Sequence, residues 1–243
     1  MTTSKRSRLD RFLSAKLGIN RGDVRLMLAK KQVLVDGIAA TDIQQQVDSF
    51  THVALVDQTG CEPFRVLQDN QPQYWMMNKP IGVVSATIDE QHKTVIDLLS
   101  VSDVSDLHIA GRLDLNSSGL LLLTNDGRWS RALSEPKAEV SKCYRVRLEK
   151  PLTEDYIQAF ADGMYFSYED ITTRPVELRI VSDYVAQLRL VEGRYHQIKR
   201  MFGRFRNPVL ALHRLSIGNI LLDETLAPGQ YRPLTDMEIR GII

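Results

Sequence analysis

Gly111-Arg112-Leu113-Asp114-Leu115-Asn116-Ser117-Ser118-Gly119, running straight into Leu120-Leu121-Leu122-Leu123-Thr124, joins a turn-forming segment to an apolar one. The leucine run reads as a buried strand, and Asn125-Asp126-Gly127 behind it turns the chain into a short helix ending near Leu133. Strand-like segments multiply on either side. Residues 74–78 and 83–86 flank the Lys79-Pro80 and Gly82 punctuation. Lys142–Leu148 alternates, with Tyr144, Val146 and Leu148 on one face and Cys143, Arg145 and Arg147 on the other. Segments 176–180, 185–191 and 210–217 are further strands; helices are expected at 153–161, closed by Gly163, at 195–205 and near Asp236. Strands outnumber helices without regular alternation, so the pattern predicts an α+β fold with a mixed, mainly antiparallel sheet.

Toward the N-terminus the period changes. Leu9, Phe12, Leu13 and Leu17, then Val24, Leu26, Met27 and Leu28, recur at helical spacing and are interrupted by Gly18 and Asn20. Gly18 suits a left-handed C-terminal cap, and Asn20 suits the N-cap of a second helix. Val33 and Val35 then lead into an Asp36-Gly37 hairpin turn, with 51–56 as a further strand. A small αβ unit is therefore expected at 1–56. The Gln-, Asp- and Pro-rich stretch 57–73 reads as a linker, and a larger domain at 74–243 follows.

The net charge of +1 hides an asymmetry. Residues 1–31 hold nine Lys or Arg against Asp10 and Asp23, a local charge of +7, which leaves −6 on the rest. Arg8, Arg11, Arg21, Arg25, Lys30 and Lys31 lie on the two short helices, where several can share a face and neutralise phosphates. Nucleic acid is the expected partner. The composition, 43% hydrophobic and 25% charged, excludes disordered and fibrous classes. No apolar run approaches the roughly 20 residues of a membrane span, and no signal-peptide core opens the chain. Cys61 and Cys143 lack the spacing of a zinc site or a disulfide framework. A cytoplasmic monomer without metal or other cofactor is expected.

Three side chains are candidates for chemistry. Asp114, in a Gly- and Ser-flanked loop before a buried strand, is either a turn-capping carboxylate or a reachable nucleophile or base. In the 195–205 helix Ile198, Met201, Phe202 and Phe205 form an apolar stripe, from which Arg200 and Arg204 point away while Lys199 falls at its border. Lys199 is either a snorkelling lysine or a cation leaning into a cleft to pair with a carboxylate. Tyr144 is either plain core or a ring on which an extruded base stacks.

The segment Arg8-Leu9-Asp10-Arg11-Phe12-Leu13 through Val33-Leu34-Val35-Asp36-Gly37 resembles an S4 RNA-binding domain. Gly111-Arg112-Leu113-Asp114 with Ser118-Gly119-Leu120-Leu121, then Lys142-Cys143-Tyr144-Arg145-Val146, then Glu192-Gly193-Arg194-Tyr195-His196-Gln197-Ile198-Lys199-Arg200-Met201-Phe202, resemble in order the three motifs of the RsuA-type ribosomal RNA pseudouridine synthases. The tail Leu226-Ala227-Pro228-Gly229-Gln230-Tyr231-Arg232-Pro233-Leu234-Thr235 is similar to the same family. The resemblance implies a cofactor-free uridine isomerase with Asp114 as essential aspartate, Tyr144 as base-stacking tyrosine and Lys199 as the aspartate's basic partner. Lysine at that last position departs from the arginine of many synthases. It also implies RNA contacts from Arg112, Arg194, His196, Gln197 and Arg200. The wording Tyr195-His196-Gln197-Ile198-Lys199-Arg200 is closer to the small-subunit enzymes, which implies 16S ribosomal RNA as substrate, the large-subunit RNA being the alternative.

Overall fold

The computed structural model describes residues 6–56, 63–100, 104, 106–134 and 138–242. The chain divides into two compact units, Met1–Pro72 and Gln73–Ile243.

In the first unit β1 (Ser7–Arg8) leads into α1 (Leu9–Leu17) and α2 (Arg21–Ala29). Gly18, at φ +67°, returns its N–H to the Ser14 carbonyl to close α1, and the Asn20 side chain accepts from the N–H groups of Gly22 and Asp23 to open α2. Strands β2 (Val33–Val35) and β3 (Ile38–Ala39) form a hairpin whose turn residues Asp36 and Gly37 both have positive φ, the backbone that matches strand twist. Then come β4 (Gln46–Val47), which pairs with β1, and β5 (Val53–Val56) and β6 (Pro63–Gln68), which complete an antiparallel sheet of order β3-β2-β5-β6. Leu9, Leu13, Val24 and Leu28 of the helices pack on Val33, Val35, Val53 and Leu55 of that sheet.

Strand β6 corrects the linker expectation, since Pro63–Gln68 pairs with β5. Register shifts break its period of two, leaving Val66 outward while Leu67 packs against the core. The Gln68 amide is also spent on the backbone carbonyls of Asp48 and Thr51. An alternation interrupted in this way is invisible to a periodicity search. Residues 57–62 of the expected linker, with Cys61, and Lys5 of the basic run lie outside the described residues.

The second unit runs β7 (Tyr74–Lys79), β8 (His108–Ala110), β9 (Ser118–Thr124), α3 (Gly127–Ser134), β10 (Lys142–Leu148), α4 (Asp155–Asp162), the small β11–β12 ribbon (Tyr165–Phe166, Ile171–Thr172), β13 (Glu177–Ser182), β14 (Val185–Leu190), α5 (Gln197–Gly203), β15 (Val209–Ile217), β16 (Ile220–Leu221), β17 (Tyr231–Pro233) and α6 (Asp236–Arg240). One sheet of order β13-β14-β10-β15-β9-β7-β17, with β8 and β16 at its side, is antiparallel throughout except for the β9–β15 pair. This is the mixed, mainly antiparallel α+β sheet that the sequence predicts. The leucine run explains itself: Leu121 and Leu123 join Phe160, Met201 and Phe202 in one core, and Leu120 and Leu122 join Met76, Trp129 and Leu133 in another. With both faces covered, all four residues of the run are apolar.

Gly119 lets the parallel pair form. It stands at φ +103°, and a Cβ built there would lie 2.3 Å from the Arg214 carbonyl oxygen, a backbone atom that cannot turn aside. Gly119→Ala is expected to destabilise the protein by about 3 kcal/mol or more, from positive-φ strain and overpacking together, measured by denaturant unfolding.

Two local expectations change. Residues 83–86 form no strand; only Val84 bridges, to Thr94. The segment is instead a brace, with Gly82 donating to the Leu115 carbonyl at 2.9 Å and the Ser85 hydroxyl donating to the Leu113 carbonyl at 2.7 Å. Helix α5 is shorter than 195–205, because His196 is left-handed at φ +49° and Arg206 at φ +51° ends the turn behind it.

Candidate active site

The site starts from the loop ahead of β9. Leu113 is buried, and its N–H and carbonyl both bond the Ser85 hydroxyl. Lys79, at the end of β7, is fully buried; its ammonium donates to the carbonyls of Pro80 (2.9 Å), Asp114 (3.1 Å) and Ser117 (2.8 Å). From the other side the buried Arg214 donates to the carbonyls of Leu120 (2.7 Å), Arg112 (3.2 Å) and Gly111 (2.7 Å). Two cations thus hold the backbone on both flanks of Asp114 while spending nothing on its carboxylate. Burial brings the Lys79 pKa down to about 8; the Asp114 charge opposes that fall and the Arg214 charge adds to it.

With its backbone held, the Asp114 side chain is one-third exposed and faces α5. His196 Nε2 lies 3.3 Å and Lys199 Nζ 3.5 Å from its Oδ2. Oδ1 makes no hydrogen bond or ion pair among the described residues. The left-handed turn at His196 aims that imidazole at the carboxylate. The turn is tied down by Gln197, whose amide donates to Glu192 Oε2 at 2.9 Å and accepts the Arg194 N–H at 3.2 Å. The exposed Tyr195 ring stacks on His196 at 3.9 Å and 21°.

A cavity of about 480 Å³ opens here, with Arg112, Asp114, Tyr144, Arg194, His196 and Lys199 in its wall. Its volume is in the range of small-ligand sites. Tyr144 belongs to both of its sequence-level alternatives, since 8% of it is exposed within the core cluster and that part lines the cavity. Ser117, also in the wall, carries a buried hydroxyl without a hydrogen-bond partner among the described residues.

The structure therefore brings Asp114, Tyr144 and Lys199 to one cavity, with Arg112, Arg194 and His196 around them. It corrects two RNA-contact expectations. Gln197 is 3% exposed and its amide is satisfied inside the protein. Arg200 pairs through both terminal nitrogens with Glu169 and lies 3.8 Å over the Phe166 ring, so its donors are already engaged. In the first unit Arg8 and Arg21 both pair with the buried Asp10, whose carboxyl the Arg8 hydrogen bond holds below the usual carboxylate range. Asp10 thus balances Arg8 and Arg21, whereas Arg11, Arg25, Lys30 and Lys31 are exposed and carry no ion pair among the described residues.

Sequence reasoning passed over Lys79, Ser85, Tyr195 and Arg214, and it took His196 for an RNA contact rather than a neighbour of Asp114. One signal was present. Leu212, Arg214 and Ser216 share the buried face of β15, and a charged residue at a core position of a strand needs internal acceptors.

Comparison with known proteins extends this. The model of the family described as RNA pseudouridylate synthase matches residues 73–203. The ribosomal small subunit pseudouridine synthase A of Pseudomonas aeruginosa is 46% identical over 97% of this chain and 100% of its own length. The Yersinia pestis protein of that name is 41% identical over 97% of each chain. A solved structure described as a crystal structure of pseudouridylate synthase superimposes with a TM-score of 0.70 at 36% identity, over 97% of this chain and 99% of that one. A loop aspartate paired with His196 and Lys199 in the wall of a cavity thus sits in a chain whose relatives share nearly its whole length, and the chain belongs to the RNA pseudouridylate synthase family, as an isomerase.

Proposed function

We propose that the protein converts a uridine of 16S small-subunit ribosomal RNA to pseudouridine in the cytoplasm, with Asp114 as its catalytic carboxylate. One observation carries this reading: an aspartate on the wall of a cavity of about 480 Å³, with Oδ2 held by His196 and Lys199 and Oδ1 left without a partner among the described residues. The small-subunit names of the relatives support the choice of RNA.

The target uridine leaves its stack and enters the cavity, where the Tyr144 ring holds the base, a contact worth roughly 1–3 kcal/mol. The bond between ribose C1′ and base N1 breaks with the participation of Asp114. The freed uracil turns, C5 bonds to C1′, and N1 takes up a proton as C5 loses one, with Tyr144 placed to assist that loss. Three routes use the same carboxylate: addition to C1′, addition to base C6, or removal of a sugar proton. Lys199, a compact ammonium that pairs without the bidentate fork of arginine, offsets the charge of Asp114 and leaves one oxygen open. Leu113, Ile198 and Leu212 in the wall limit the water that would intercept the separated base.

RNA affinity is assigned to the first unit as an S4-like domain, supported by exposed Arg11, Arg25, Lys30 and Lys31. Replacing these four by Gln is expected to flatten the logarithmic salt dependence of RNA binding by about 3 and to leave kcat unchanged. Filter binding across a salt series checks this, and an unaltered slope would remove the unit from that role. Mapping pseudouridines in ribosomal RNA with and without the protein tests the reaction and the substrate together; absence of any protein-dependent site rules the proposal out.

A further inference from the structure

A second cavity, of about 590 Å³, shares Arg112, Tyr144, Glu192 and Arg194 with the first, so the two meet along a common wall. Its lining brings Arg112, Lys142, Arg174, Arg194 and Arg214 together against one carboxylate, Glu192. That carboxylate is already occupied: it accepts from the Gln197 amide at 2.9 Å, the Arg174 N–H at 3.1 Å and Arg194 Nε at 3.3 Å. Four of the five cations are held by partners, Arg194 by Glu192 at 3.3 Å. Arg214 is pinned by three carbonyls, Arg174 is paired with Glu139, and Lys142 donates to the Val140 carbonyl at 3.2 Å. Burial, and then the charge of Arg214, hold the Lys142 pKa below its usual value, and the five cations outnumber the two carboxylates, Glu139 and Glu192, that pair with them. Like charges this close repel unless something negative lies among them.

We propose that this second cavity is an anion subsite that takes the phosphodiester flanking the uridine held in the first cavity, with the strand passing between them at Arg112 and Arg194. The assignment rests on the reading of the first cavity as the uridine pocket. The cavity exceeds what a lone phosphate ion needs, and the Tyr144 ring, common to both walls, sets it directly beside the base that the same ring holds.

The test uses the full-length protein carrying Lys142→Gln, Arg174→Gln or both, since these residues line only the second cavity. Arg179→Gln, an exposed position on β13 outside both cavities, is the control. The salt slope of binding to a small-subunit RNA transcript is expected to fall by about 1 for each single variant and about 2 for the double, with no change in the control. In turnover the double variant is expected to raise KM about tenfold with kcat within about twofold, since uniform binding alone is lost. Inorganic phosphate, at ionic strength matched with chloride, is expected to compete with RNA for the wild type and not for the double variant. Unchanged slopes overturn the subsite, and so does an equal loss in Arg179→Gln. Phosphate competition without any effect on the RNA slope means a site for the free ion and overturns it too. If the slopes respond but the wild type forms no pseudouridine, the uridine reading fails while the anion subsite stands.

Discussion

Asp114→Asn is expected to abolish isomerisation, with kcat lowered by at least about 10⁴-fold and RNA affinity within about twofold of wild type. The carboxamide is nearly isosteric. What holds the loop is the Asp114 backbone carbonyl, which accepts from Lys79 at 3.1 Å and from the Ser117 N–H at 3.0 Å, and both bonds survive the substitution. Only the negative charge and the nucleophilic oxygen disappear. Tritium release from C5-labelled small-subunit RNA reads the activity, filter binding reads the affinity, and thermal unfolding confirms an intact fold. Substantial turnover in this variant would remove Asp114 from the chemistry and leave the cavity an RNA-binding feature only.

Lys79→Met is expected to lower kcat by about 10²–10³-fold with little change in KM, because a displacement of about 1 Å at a reacting group costs rates of that order. The side chain does not itself line the cavity; it acts from behind the wall, through the carbonyls of Pro80, Asp114 and Ser117. Of the three carbonyls that lose the Lys79 donor, that of Asp114 keeps the Ser117 N–H; the loss costs about 1–3 kcal/mol at each of the other two, partly offset by relief of the buried charge, so a net loss of about 3 kcal/mol follows. In a protein of this size that lowers Tm by roughly 6–12 °C. The pH profile separates positioning from mere destabilisation. With a folded-state pKa of about 8 against 10.5, the unfolded chain holds the extra proton between those values, so this group's contribution to stability rises with pH across the window. The ammonium is lost over the same range, and with it one of three donors to the loop. The wild type is expected to lose kcat above pH 8 while remaining folded, and Lys79→Met to lack that alkaline limb. An identical limb in the variant would exclude Lys79 as its source.

Both substitutions concern one short loop, and the two residues differ in how legible they were. Asp114 at least stands out, because a carboxylate between Gly111 and Ser118 just before four leucines lies on a rigid edge, although a turn cap reads the same until the family resemblance is added. Lys79 reads only as punctuation before Pro80, since its meaning depends on carbonyls that belong to other segments. Tyr144 and Lys199 stay ambiguous by themselves. A tyrosine on the inner face of a strand and a lysine at the border of an apolar stripe are both commonplace, and family resemblance, not spacing, separates them from core and surface. Gln197 and Arg200 mislead for the same reason in reverse: polar residues beside a motif look available until Glu192 and Glu169 are seen to hold them.

The sequence by itself determined the local elements and their class: the helical period of residues 9–28 with its Gly18 and Asn20 caps, the Asp36-Gly37 hairpin, the alternation of β10 and the doubly buried leucine strand. Each of these is written in neighbouring residues, because side-chain direction repeats every 2 or 3.6 positions. It took the three-dimensional arrangement to show that β9 lies parallel to β15, that 63–68 is a strand, that Lys79 and Arg214 clamp the Asp114 loop, and that α5 delivers His196 and Lys199 to Asp114. Apart from the β5–β6 pair, whose period is broken by register shifts, those contacts join segments distant in the chain, and their energy depends on which backbone carbonyls and charges the sheet order brings within hydrogen-bond reach, a quantity that no local period encodes.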